Sequence, residues 1–137
     1  MTKSTCSFLF FFLLAVLVSC ANNEDFQKNE SEVAIETPKY LYKILTRENW
    51  EKSCTVVSLS KADTDFIHLA TEEQLARIIS KFWSGASEYV ILKLETERLP
   101  GELVHESNPG GKNKYYHLYQ GTIPLGAIIE LKVIAAD

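Results

Sequence analysis

Three hydrophobic patterns divide this chain. An unbroken apolar run extends from Phe8 to Val18, and a polar, acidic stretch without period follows from residue 21 to Pro38. From Tyr40 onward, short apolar stretches alternate with turn-forming residues, and one stretch has helical spacing. Tyr40–Leu45 is aromatic and aliphatic, which predicts a strand. Leu41, Lys43 and Leu45 share one face of it, and Tyr40, Tyr42 and Ile44 the other. Lys43 between two leucines reads either as a solvent-side lysine or as a cation pointing into a cleft. Thr46 is placed to cap a short helix over residues 47–54. Residues 55–60 read as a strand or an extended loop, and 61–64 as a turn.

Phe66-Ile67-His68-Leu69 is strand-like, with Phe66 and His68 on one face and Ile67 and Leu69 on the other. Thr71 and Gln74 form a Thr-x-x-Gln capping box, and Glu72 and Glu73 complement the positive end of the helix that follows. Leu75, Ile78, Ile79 and Phe82 recur at helical spacing as one apolar stripe, and Gly85 is placed to end the helix. Tyr89–Leu94 predicts a central strand, 102–106 a short strand, 107–113 a turn-rich loop, 115–119 an aromatic strand and 126–134 a closing strand. Ile129, Leu131 and Val133 share one face of that last strand. Several strands with one main amphipathic helix make a small, single α+β domain.

The apolar run changes the picture at the chain start. With Lys3 before it and a small residue after it, the run is a secretory signal peptide, and it is too short to span a bilayer. Its ending, Leu17-Val18-Ser19-Cys20, resembles the lipobox of bacterial lipoproteins. That resemblance implies cleavage before Cys20, lipidation of Cys20 and residence in the bacterial cell envelope, anchored to a membrane. Ala21, standing where an Asp would favour inner-membrane retention, points to the outer membrane. The expected organisation is signal peptide 1–19, lipidated Cys20 with a tether to residue 38, and a globular domain over 39–137. Eighteen flexible residues reach roughly 20–25 Å.

The formal charge is −4, and removal of Lys3 with the signal makes it −5. No basic cluster occurs, which excludes nucleic acid as the expected partner. A protein partner is not specified by the sequence. Cys54 is the one mature thiol apart from Cys20, so no internal disulfide is expected, and it reads as a small buried hydrophobe. His68 fits two readings. One is a core histidine with satisfied bonds. The other is an imidazole beside a helix start able to hold an anion. His105, Glu106 and His117 flank a loop with two adjacent glycines, a set suited to acid–base work. No His-x-x-x-His spacing or joining cysteine supports a metal site, so none is assigned.

The segments Tyr42-Lys43-Ile44-Leu45-Thr46-Arg47-Glu48-x-Trp50, Phe66-Ile67-His68-Leu69-x-Thr71-x-x-Gln74, Glu106 with Gly110-Gly111, and His117-Leu118-Tyr119 with Gly121 and Pro124-Leu125 together resemble the bacterial domain-of-unknown-function family 952. The resemblance covers about residues 40–134. Ala70 stands where the family usually has Ser, His105 where it has Trp, and Gln120 separates Tyr119 from Gly121. The resemblance implies an ADP-ribosyltransferase-like fold of split, mostly antiparallel sheets around an NAD-binding cleft. NAD is then the candidate cofactor. His68 is expected to contact ribose or phosphate, Thr71 and the helix start to hold a phosphate, and Glu106 to orient or deprotonate a nucleophile. Lys43, His117 and Tyr119 are expected to line the ligand pocket. The alternative is a non-catalytic envelope module that binds a small ligand or a protein. NAD is scarce outside the cytoplasm, so enzymatic activity stays open at this stage.

Overall fold

The computed structural model of the protein describes residues 36–135. The signal-like run, Cys20 and most of the tether lie outside the described residues. The elements are β1 (Tyr40–Thr46), α1 (Arg47–Glu51), β2 (Ile67–Leu69), α2 (Glu72–Ile78), β3 (Glu88–Glu95), β4 (Glu102–Ser107), β5 (Lys114–Tyr119) and β6 (Ile128–Ala135). They form two three-stranded antiparallel sheets, ordered β1-β3-β6 and β2-β5-β4. Among the described residues no helix is long and apolar enough to cross a membrane.

Alternation in the sequence dictates the core. Leu41 and Leu45 on β1 and Val90, Leu92 and Leu94 on β3 are buried on one face of the first sheet. Ile67, Leu69, Tyr116 and Leu118 supply the inner face of the second, and both sets belong to one hydrophobic cluster. Each buried aliphatic side chain there is worth about 1.5–3 kcal/mol. The sheets are stitched where Tyr42 and Ala70 exchange backbone hydrogen bonds of 2.8 and 2.9 Å. β3 is the central strand of its sheet, as its apolar character predicts.

The helices depart from expectation. Thr46 caps α1, accepting the Asn49 N–H at 3.1 Å, but the helix stops at Glu51 instead of reaching Cys54. Residues 55–60 form an extended loop with a single bridge, Val56 to Pro124. Cys54 is exposed, correcting its reading as a buried hydrophobe. α2 starts where the capping box places it, with Gln74 Oε1 accepting the Thr71 N–H at 3.0 Å. It then widens into a π-helical turn over Ile79–Trp83. The wider turn rotates the following side chains off the 3.6-residue stripe. Phe82 is left 65% exposed, and Trp83 instead packs on Tyr89 with ring centroids 5.5 Å apart. No residue of α2 is fully buried. Polar contacts help to hold it, Gln74 Nε2 donating to Lys114 O at 2.8 Å and Arg77 Nη2 to the Tyr115 hydroxyl at 2.9 Å.

Candidate functional site

Between β1, β2, α2 and the β4–β5 loop lies a cavity of about 630 Å3. That is a usual size for a small-molecule site. Lys43, Asp63 and His68 form a connected group in its wall. Strand alternation turns Lys43 inward with the flanking leucines, so the cleft-facing alternative of the two is the one observed. Its side chain is 7% exposed and Asp63's is 3%. Lys43 Nζ donates to Asp63 Oδ1 at 2.5 Å and to the His68 carbonyl at 3.3 Å. Asp63 ends a 3₁₀ turn capped by Ser60, whose hydroxyl donates to Asp63 Oδ2 at 3.0 Å. The same Oδ1 faces the His68 backbone N–H at 3.2 Å and ring Nδ1 at 3.3 Å.

The electrostatics follow from this packing. Burial pulls the Lys43 pKa below its ordinary value, against the pull of the Asp63 carboxylate. Burial would raise the Asp63 pKa, but the hydrogen bond from His68 and the Lys43 charge outweigh it and hold the carboxyl well below the usual range. Asp63 is therefore ionised at neutral pH, facing the Lys43 amine. With Nδ1–H donated to Asp63, a neutral His68 ring carries its lone pair on Nε2. An imidazole oriented by a buried carboxylate is suited to accept a proton or a ligand hydrogen bond. Among the described residues no hydroxyl or thiol is hydrogen-bonded to His68, whose ring has Asp63 as its hydrogen-bond partner.

A second polar group stands behind the first. β2 and β5 pair His68 directly with His117, whose rings are 5.2 Å apart, and β4 continues that face with Val104 and Glu106. His117 is fully buried. Its Nδ1 meets Glu106 Oε1 at 3.0 Å, and its Nε2 meets the Asn108 side-chain amide at 2.8 Å. Tyr119 donates its hydroxyl to the same Glu106 oxygen at 2.5 Å. Phe66 covers the group, stacked on His117 at 4.0 Å and lying 4.8 Å from His68. The Tyr119 hydroxyl and then His117 lower the Glu106 pKa, and the Glu106 carboxylate raises that of Tyr119.

The expected site residues thus divide. Lys43 and His68 line the cavity, while Thr71, Glu106, His117 and Tyr119 do not. Thr71 is used by the capping box. Glu106 is bound by His117 and Tyr119, and a carboxylate made less basic in this way suits holding His117 better than taking a proton. His105 points to the other face of β4 and stacks on Tyr116 at 4.5 Å. Two residues escaped the sequence reading, Asp63 and Asn108. A lysine flanked by leucines calls for a buried counter-charge, which could have drawn attention to Asp63. Asn108, which joins His117 to the cavity wall, sits in a segment whose composition reads only as a turn. Among the described residues no group of three or more His, Cys, Asp or Glu side chains is arranged to hold a metal ion.

The sequence pattern of the family described as "Protein of unknown function (DUF952)" matches residues 44–131, more than half of the chain. This chain belongs to the DUF952 family. The matched span contains β2, α2, both histidines of the paired strands and Glu106, and it begins one residue after Lys43. Among solved structures, the DUF952 domain here is similar to protein CC0527 from Caulobacter crescentus. The crystal structure of that protein has 29% sequence identity, covers 72% of this chain and 88% of its own, and superposes with a TM-score of 0.61. Its solution NMR structure has 30% identity, covers 73% of this chain and 88% of its own, and gives the same TM-score. No curated protein matches the chain.

Proposed function

We propose that this DUF952 domain binds an anionic, ring-bearing small molecule of the nucleotide class, with NAD and ADP-ribose as the reference ligands. The observation that carries this reading is the charge of the cavity wall. Lys43, Lys81 and Lys112 line it, with Asp63 as its one carboxylate, an excess of two positive charges in a chain whose formal charge is −4. Among the described residues Lys81 and Lys112 have no acidic partner. Aromatic side chains of Tyr42, Trp83 and Tyr115 stand in the same wall. Positive charge beside aromatic surface favours phosphate together with a base.

Two antiparallel sheets meeting at a cleft also suit the ADP-ribosyltransferase-like arrangement that the family resemblance implies. In this reading His68, oriented by Asp63, contacts a ribose hydroxyl or phosphate, and Glu106, His117 and Tyr119 hold the His68 strand in place. The commitment of Glu106 to His117 and Tyr119 favours a binding module over a transferase. Cys20 is the lipid attachment, and the domain stands off the membrane of the cell envelope, the outer one by the Ala21 criterion.

Calorimetric titration of the full chain tests the ligand reading. NAD or ADP-ribose should bind saturably, adenosine more weakly, and Lys112→Glu should cost roughly tenfold in affinity or more for the phosphorylated ligands alone. Absence of binding at millimolar ligand would remove the nucleotide reading. For the anchor, Cys20→Ser should move the protein from the membrane to the soluble fraction, and retention of that variant on membranes would refute lipidation.

A further inference from the structure

We infer that β6 is a self-association edge, on which a second copy of this chain pairs antiparallel about Leu131. β6 bonds β3 on one side, and among the described residues no strand covers its other side. It is eight residues long and rich in β-branched side chains. Ile129, Leu131 and Val133 are 45%, 37% and 41% exposed, although Leu131 and Val133 share the face of Leu92 and Val90, which are fully buried one strand away. A long, apolar, uncovered edge strand is a template for pairing, and monomeric proteins normally blunt such edges.

The strand's own order identifies the occupant. In an antiparallel pair centred on Leu131, Leu131 faces Leu131 of the second copy. Glu130 then faces Lys132 of the second copy, and Lys132 faces its Glu130. Ile129 meets Val133 where the pairing reaches the bulge. Every apolar residue meets an apolar one, and both charges meet their opposites. Glu130 and Lys132 already lie on one face as an ion pair, Lys132 Nζ to Glu130 Oε1 at 3.0 Å. Pairing turns that doublet into a quartet of alternating charge, and opposite charges across strands favour the register. The register shift of β6 against β3 at Lys93/Leu94 falls at Ile129, so Glu130, Leu131 and Lys132 are the regular centre of the pairing and Ile129 its bulged end. The product is a six-stranded sheet, β1-β3-β6 continued by its symmetry mate. One strand pair is a small interface, so the dimer is concentration-dependent.

Disulfide trapping on the full chain tests both the pairing and its register, with the parent chain, which carries Cys6, Cys20 and Cys54, as background. Directly opposed residues lie ~4.5–5.5 Å apart between Cα atoms, within disulfide reach. Leu131→Cys should therefore cross-link to itself on mild oxidation. Val133→Cys should not, because its own mate lies four residues along the strand, about 13 Å away. It should cross-link when mixed with Ile129→Cys. In sedimentation, Glu130→Lys should raise the dimer dissociation constant roughly tenfold or more, and the exchanged pair Glu130→Lys with Lys132→Glu should restore it. A monomer at all concentrations, trapping of Val133→Cys with itself, or a dimer indifferent to Glu130→Lys would overturn the pairing. So would a monomer whose Leu131→Cys thiol resists alkylation, since something other than a second copy would then cover the strand.

Discussion

Lys43 and Asp63 concentrate the energetic risk of this fold in one contact. Two charges have left water, and each is tolerable only because the other is there. Removing one leaves an uncompensated buried charge, which costs roughly 3–5 kcal/mol. Asp63→Ala is therefore expected to lower stability by that order in chemical denaturation. Lys43→Met with Asp63→Leu should recover most of the loss, because the charges disappear together. A double variant as unstable as Asp63→Ala would show that the contact is not acting as a pair. The pH dependence has a defined sign. The folded Asp63 pKa lies below the unfolded value near ~3.9, so the unfolded chain binds the proton more readily. Stability is intact above that value and falls as pH drops from about 4 toward the folded pKa. Asp63→Asn should flatten that slope in acid denaturation. At this scale half of the pair was legible. Alternation put Lys43 on a buried face, but its partner lies 20 residues away in a turn that nothing local distinguishes.

The elements were legible where local chemistry decides them. The start of α2 follows from Thr71 and Gln74 alone, and alternation marks β1 and β3. Gln74→Ala should cost about 1 kcal/mol and speed amide exchange in the first turn, because the cap and the bond to Lys114 O go together. The π-helical turn was not legible, because Ile78, Ile79 and Phe82 keep α-helical spacing while packing against Tyr89 selects Trp83. The bend after β5 shows a similar conflict. Gln120 has φ 49°, a left-handed conformation that L side chains disfavour by roughly 1–2 kcal/mol. Gln120→Gly is expected to raise the midpoint of thermal unfolding, by up to about 1 kcal/mol in stability. An unchanged or lower midpoint would mean that its side chain contributes more than the backbone strain costs. Gly121 beside it is different in kind. A Cβ there would collide with the Pro100 carbonyl and the Leu118 side chain, so Gly121→Ala should unfold or displace this corner.

For the whole molecule, the α+β class, the antiparallel sheets and the family were within reach of the sequence, and the cavity was not. Its wall comes from β1, the turn before β2, α2 and the β4–β5 loop, which meet only after both sheets share a core. Register then sorts the histidines. His68 and His117 are direct cross-strand partners, yet only His68 reaches the cavity, while Glu106 braces His117 from behind. Chain order showed three polar residues near a glycine-rich loop. Sheet pairing made Glu106 and His117 a support, turned His105 to the other face, and left the cavity to His68, Asp63 and the lysines.

We propose the lysine-lined cavity as a nucleotide-class binding site. Two-dimensional 1H–15N NMR of the full chain, recorded during titration with ADP-ribose to millimolar concentration, tests it most directly. Saturating shifts confined to the cavity wall, at Lys43, Asp63, His68 and the loop from Asn108 to Asn113, are the predicted result. Unchanged spectra, or shifts confined to surfaces away from that wall, would contradict it.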